Sequence, residues 1–304
     1  MRLDKLRDLA AARGPQRVAV AGAASEEALL ALAEAKAQGM VEVTLCGDLE
    51  RLEAVAAQAG YAYGDDVLVE ATAGAEAAAR AAVGEVVAGR ATLLMKGSVP
   101  TADLLRAVLD RERGLRTGRL LSHVGIFALP DFPRLLFLTD AGVNIAPGLA
   151  QKADIVRNAI EVARALGVAE PKVAALAALE QVNPDMPATL DAACLAAMNR
   201  RGQITGGVVD GPFGLDNAVF PEAAARKGVS GPVAGAADIL MVPDIEAGNV
   251  AYKALLFFGQ AQVAGIITGA RVPIITTSRA EEHETKLLAI ALGVVLASGG
   301  ALLA

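Results

Sequence analysis

Short apolar runs alternate with amphipathic segments from the start of the chain. RVAVAG (17–22) is an apolar run behind Arg17, the mark of a short buried strand, and SEEALLALAEAKAQG (25–39) has helical periodicity, with Ser25 as its cap and Gly39 at its end. VEVTLCG (41–47) predicts the next strand and DLERLEAVAAQAG the next helix. GRATLLMKG (89–97) predicts a strand and turn, and TADLLRAVLD (101–110) a helix capped by Thr101. A basic, glycine-bearing stretch, RGLRTGRL (113–120), breaks this texture. A second series follows: RLLFLTDAGVNIAP (134–147), a helix around ADIVRNAIEVARALG, KVAALAAL (172–179), a helix over ATLDAACLAAMNRRG, then ITGGVVDGPFG. AADILMVPDIEAGNVAYKALLFFG (236–259) closes it as strand, loop and helix. Such alternation predicts an α/β fold, with parallel strands flanked by helices. The expected domains are 1–118 plus 268–304, a discontinuous first α/β domain, and 119–267, a second. The tail LLAIALGVVLASGGALLA is 18 residues without a charge, at the lower limit of a membrane span. It follows a charged helix start and contains Gly299-Gly300, so it reads as a buried core helix ending near Ser298.

Composition narrows the class. Of the 304 residues, 54% are hydrophobic and only 3% aromatic, so the interior is built from Ala, Leu and Val, and disorder is excluded. The net charge of −6, with no block of like charges, argues against a nucleic-acid surface and for a soluble cytoplasmic protein without membrane attachment. MRLDKLRDLA alternates charge with leucine and lacks a signal-like apolar core. Cys46 and Cys194 read as small buried hydrophobes. With two histidines and no CxxC, no metal site is expected. His283 reads as solvated, and His123 as a satisfied, partly buried residue.

The chain has no P-loop, no G-x-G-x-x-G after the first strand and no G-x-S-x-G elbow. What it has are glycine-bearing turns beside single polar groups: Lys96, Ser98 and Arg106; Asp140 and Asn144; Asp210, Asp216 and Asn217; Asp244, Glu246, Asn249 and Lys253. Asp, Asn and Gly are also the commonest turn formers. Asn144, Asn249 and Lys253 are the substrate-binding candidates. In PIITTSRAEEHETK (273–286), Ser278 and Glu281 match a capping box. Arg279 is unexplained by capping, because a cation in the first turn opposes the helix dipole; it is better placed to hold an anion at a helix N-terminus. Lys96, Arg106, Ser278 and Arg279 together would make an anion pocket, with arginine gripping phosphate bidentately.

The order of these motifs resembles the phosphate acetyl/butyryltransferase family. LMKGSVPTADLLRAVLD, LLFLTDAGVNIAP, QKADIVRNAIEVA, the long run from GPFGLDNA to VPDIEAGNVAYKAL, and AGIITGARVPIITTSRAEEHETK follow the family order over roughly two-thirds of the chain. Several versions look closer to the butyryl branch. The resemblance implies two three-layer α/β domains with a cleft between them, like isocitrate and isopropylmalate dehydrogenases, assembled as a homodimer or larger homo-oligomer. It implies the reversible reaction of acyl-CoA with inorganic phosphate, by direct attack in a ternary complex, without a bound cofactor. Carried over by position, Ser278 and Arg279 are catalytic, and Arg106, Arg279 and Lys96 bind phosphate. The acetyl enzymes' proposed base, an aspartate seven residues after the serine, is Thr285 here, and Glu284 beside it is the candidate. Arg80 is the one counterpart to the acetyl enzymes' upstream basic segment, and reads as a surface helix residue. Alternatives are a phosphate acetyltransferase, a catalytically silent CoA- or anion-binding protein, and a dehydrogenase of the same fold.

Overall fold

The apolar runs form strands and the amphipathic segments form helices. The computed structural model describes residues 3–276 and 283–299. They divide into two compact units, one of residues 3–119 and 264–299, the other of residues 120–263.

The first unit begins α1 (Asp4–Ala12), β1 (Gln16–Ala21), α2 (Glu26–Ala37), β2 (Val41–Gly47), α3 (Leu49–Ala59), β3 (Val67–Glu70), α4 (Ala75–Val87), β4 (Leu93–Lys96), α5 (Thr101–Val108). The second unit contains β5 (Ser122–Ala128), β6 (Leu136–Thr139), α6 (Leu149–Ala165), β7 (Lys172–Leu176), α7 (Pro187–Arg200), β8 (Val208–Phe213), α8 (Leu215–Val219), α9 (Pro221–Arg226), β9 (Ile239–Met241) and α10 (Ile245–Lys253). A π-helical turn, Ala254–Phe258, extends α10. β10 (Gln262–Thr268), β11 (Ile274–Ile275) and α11 (His283–Ala297) complete the chain.

In the first unit the strand order is β3-β2-β1-β4-β11-β10, parallel except where β10 meets β11. Val18 to Ala21 of β1 are fully buried, as expected of a central parallel strand covered on both faces. β3 is a short edge strand whose Val67 and Leu68 stay exposed. The apolar tail is a core helix: Leu287 to Val295 of α11 are buried, each large aliphatic contributing about 1.5–3 kcal/mol. No helix among the described residues is long and apolar enough to cross a membrane.

The helix ends differ from the expectation in two places. Thr101 is the first helical residue of α5, and the cap position belongs to Pro100, whose ring already holds the extended φ of −59°. Ser25 occupies the cap position of α2, but its hydroxyl donates to Glu27 Oε2 at 3.1 Å rather than accepting from the helix. Asp48 does cap α3, accepting from Arg51 N at 3.0 Å.

In the second unit the order is β5-β6-β9-β7-β8, with β5 antiparallel to β6 and the others parallel. Phe127, Leu138, Phe213 and Leu240 lie at the centre of its core. Cys46 is buried in β2, where desolvation pushes its thiol up to about 12. Cys194 is exposed, against expectation. α7 buries Thr189, Ala192, Leu195 and Ala196, and position 194 falls on the other side of that helix.

Candidate functional site

In open α/β sheets the carboxyl ends of strands are where loops and helix starts converge on ligands. In the first unit the ends of β1, β2 and β4 surround a crevice of about 330 Å3, lined by Gly22, Gly47, Asp48, Arg51, Thr72 and Ser98. The backbones here are in contact. A Cβ on Gly97 would lie 2.2 Å from the Gly22 carbonyl oxygen, so only glycine fits after Lys96. Ser98 Oγ donates to that same oxygen at 2.9 Å. Lys96, half-buried at the end of β4, donates to the Gly97 carbonyl at 3.2 Å.

Arg106 sits elsewhere in the unit. It is 64% exposed and pairs with Asp103 at 2.7 Å, a geometry worth less than about 1 kcal/mol. It lines a groove of about 740 Å3 with Arg80 and Arg113, against the carboxylates Glu76, Asp110 and Glu112. Arg80, exposed as expected, pairs with Glu76 one turn back. Lys96 does not line this groove.

Ser278 and Arg279 lie outside the described residues, in the stretch between β11 and α11. Glu284 is in the first turn of α11, where its Oε2 accepts from Arg7 Nη1 of α1 at 3.3 Å. His283 is exposed, as expected, and its Nε2 lies 2.6 Å from Glu34 Oε2 of α2. Arg7 also stands 3.9 Å from Glu34. The four residues therefore form one network across three helices.

The second unit brings two of the three substrate-binding candidates together at the turn after β6, Asn144 within it and Asn249 reaching it from α10. Asp140 is 2% exposed. Its Oδ1 accepts from the backbone N–H of Gly142 (2.9 Å) and Val143 (3.0 Å). Its Oδ2 accepts from Asn144 N (3.2 Å) and Asn144 Nδ2 (2.6 Å). Four donors compensate the cost of burying this carboxylate. Asn144 Nδ2 also donates to the Leu121 carbonyl at 2.8 Å, which ties the loop to the chain just before β5. Asn249 Nδ2 reaches the Ala141 carbonyl at 3.5 Å. A Cβ on Gly248 would lie 2.7 Å from the Asp140 carbonyl oxygen, which is why glycine is needed where α10 crosses the turn. Asp244 caps α10, accepting from Ala247 N at 2.8 Å. Lys253 is exposed at the end of α10.

His123 packs at the same place, its ring centroid 5.7 Å from that of Tyr252. Its Nδ1 is buried with no hydrogen-bond partner, so the expectation of a satisfied histidine fails. Desolvation pushes its pKa down, and the Asp140 carboxylate offsets part of that. The GPFGLDNA segment is also structural. Asn217 is fully buried, its Nδ2 donating to Glu180 Oε1 at 2.6 Å, and its carbonyl accepts from Gly235 N at 2.8 Å. Asp216 and Glu180 both pair with Lys227, which holds the two carboxyls below their usual range.

One feature of this unit has no signal in the pattern. A cavity of about 1,120 Å3 opens among α6, α7, α10 and the ends of β6, β7 and β9, walled by Leu138, Leu176, Leu240, Val242 and Leu255. Its one buried cation, Lys152, is paired with Asp191 at 2.6 Å. Leucines lining a cavity read in sequence like leucines filling a core.

Comparison with known proteins agrees with the motifs. The family model described as phosphate acetyl/butaryl transferase matches residues 68–294. The chain is 48% identical over 293 residues to a probable phosphate butyryltransferase of Bacillus subtilis, covering 95% of this chain and 97% of that one. It is 43% identical over 297 residues to a phosphate acetyltransferase of Thermotoga maritima, covering 98% and 100%. Among solved structures, a branched-chain phosphotransacylase from Enterococcus faecalis superposes with a TM-score of 0.80 at 35% identity, covering 93% of this chain and 99% of that one.

Proposed function

Because the chain belongs to the phosphate acetyl/butyryltransferase family, we propose that it transfers a short acyl group reversibly between coenzyme A and inorganic phosphate, with butyryl preferred. The observation that carries this reading is near-full-length similarity to proteins so named, at 48% and 43% identity. The butyryl preference rests on the LMKGS, LLFLTDAGVN and VPDIEAGNVAYK versions of the motifs. Acetyl and butyryl differ by two methylenes, worth about 0.8 kcal/mol each when buried.

In the forward direction a phosphate oxygen attacks the thioester carbonyl carbon. The tetrahedral oxyanion collapses, the C–S bond breaks, and the leaving thiolate takes up a proton to give free CoA and acyl phosphate. No electrons change hands, so the reaction calls for no redox cofactor. Ser278 donates to the developing oxyanion, a contribution of roughly 3 kcal/mol per donor in comparable sites. Arg279 and Arg106 hold the phosphate oxygens and so fix the attack geometry. We place the enzyme in the cytoplasm as a homodimer or larger homo-oligomer. Glu284 is already engaged by Arg7.

The test is release of free thiol from butyryl-CoA with and without phosphate, with acetyl-CoA alongside. Phosphate-dependent release, faster with butyryl-CoA, is the expected outcome. Faster release with acetyl-CoA removes the butyryl preference and keeps the chemistry. Absence of release with both, from folded protein that binds CoA, overturns the reading.

A further inference from the structure

α11 packs directly on α1 and α2. Its apolar length is held by core burial, and its first turn is held by charge. His283 Nε2 stands 2.6 Å from Glu34 Oε2 of α2, and Glu284 Oε2 accepts from Arg7 Nη1 of α1 at 3.3 Å. Arg7 bridges the two pairs, lying 3.9 Å from Glu34 Oε1. The four side chains are only 30–45% exposed, so the network is partly shielded from solvent. Isolated surface pairs contribute little, but a connected set with one shared arginine constrains direction as well as distance. α11 starts four residues after Arg279 in the sequence.

We propose that Arg7, Glu34, His283 and Glu284 form a clamp that sets the start of α11, and that Glu284 is a positioning residue rather than the base for the CoA thiol. The assignment rests on the acyltransferase reading above. Its physical content is leverage. An arginine used to bind phosphate and a serine used to meet an oxyanion lose effect when displaced by as little as an ångström. The Glu284 carboxylate is also already occupied by the Arg7 guanidinium, at 3.3 Å.

A charge exchange separates the two roles of Glu284. Arg7→Glu, Glu284→Arg and the double variant are compared with the wild type for kcat, for KM of phosphate and for Tm. The clamp predicts that each single variant loses about tenfold in kcat/KM for phosphate, and that the double variant recovers to within about threefold of wild type, because the pair is rebuilt in reverse. Glu34→Gln is expected to give a smaller loss in the same parameter. A double variant as inactive as Glu284→Arg overturns the proposal, because a carboxylate at 284 is then needed for chemistry. Tm coupling without any change in kcat/KM also overturns it, leaving a purely structural pair. A wild type that releases no thiol at all fails the acyltransferase reading instead, and that result is read before any variant is compared.

Discussion

The turn after β6 and the first turn of α11 are both polar, yet they are built on opposite physical terms. At the first, one buried carboxylate, Asp140, is held by four neutral N–H donors. At the second, four part-exposed charged or chargeable side chains hold one another. A buried anion with saturated donors costs much to disturb, because its loss leaves buried N–H groups unpaired. An exposed network costs little to disturb thermodynamically, and its effect is on direction. Rigidity of the second unit's loop is therefore a stability property, whereas the role proposed for the first unit's network is orientation.

The strongest test of that contrast is Asp140→Ala. It strands four donors and is expected to cost about 3–5 kcal/mol of unfolding free energy, read from denaturant melts. A loss under about 1 kcal/mol would remove the distinction between the two turns. Next in size is Arg106→Ala, whose exposed pair with Asp103 predicts less than about 1 kcal/mol of lost stability, while KM for phosphate rises about tenfold. A changed Tm with an unchanged KM would assign Arg106 to structure.

The smallest effect is in pH. Burial depresses the folded-state pKa of His123, while the unfolded residue titrates at about 6.5. Between those values the unfolded chain binds the extra proton, so stability is full above about pH 6.5 and falls as pH drops through that window. Replacing the residue, as in His123→Phe, is expected to flatten this slope in Tm measured from pH 7 down to 5. A slope unchanged by the substitution would mean that other groups carry it.

Much of this was legible in the chain. Short, mostly apolar runs such as RVAVAG and VEVTLCG announced β1 and β2 because parallel strands bury most of both faces. β3 was not legible: it is a four-residue edge strand with exposed valine and leucine, so burial leaves little pattern in it. Asp140 and Asn144 stood out as polar residues beside a glycine. Only the fold reveals that Asn144 Nδ2 is committed to Asp140 and to the Leu121 carbonyl. The serine–arginine turn is legible as chemistry at 278–279, but those positions lie outside the described residues.

By itself the sequence determined the alternation of strands and helices, the core character of α11 and the family, because these depend on local periodicity and motif order. Tertiary structure alone decided that Arg7, Glu34, His283 and Glu284 meet, that Arg106 shares a groove with Arg80 and Arg113, and that Cys194 faces outward while Cys46 does not. Those outcomes join residues up to 277 positions apart, and no local pattern encodes which distant faces will pack together.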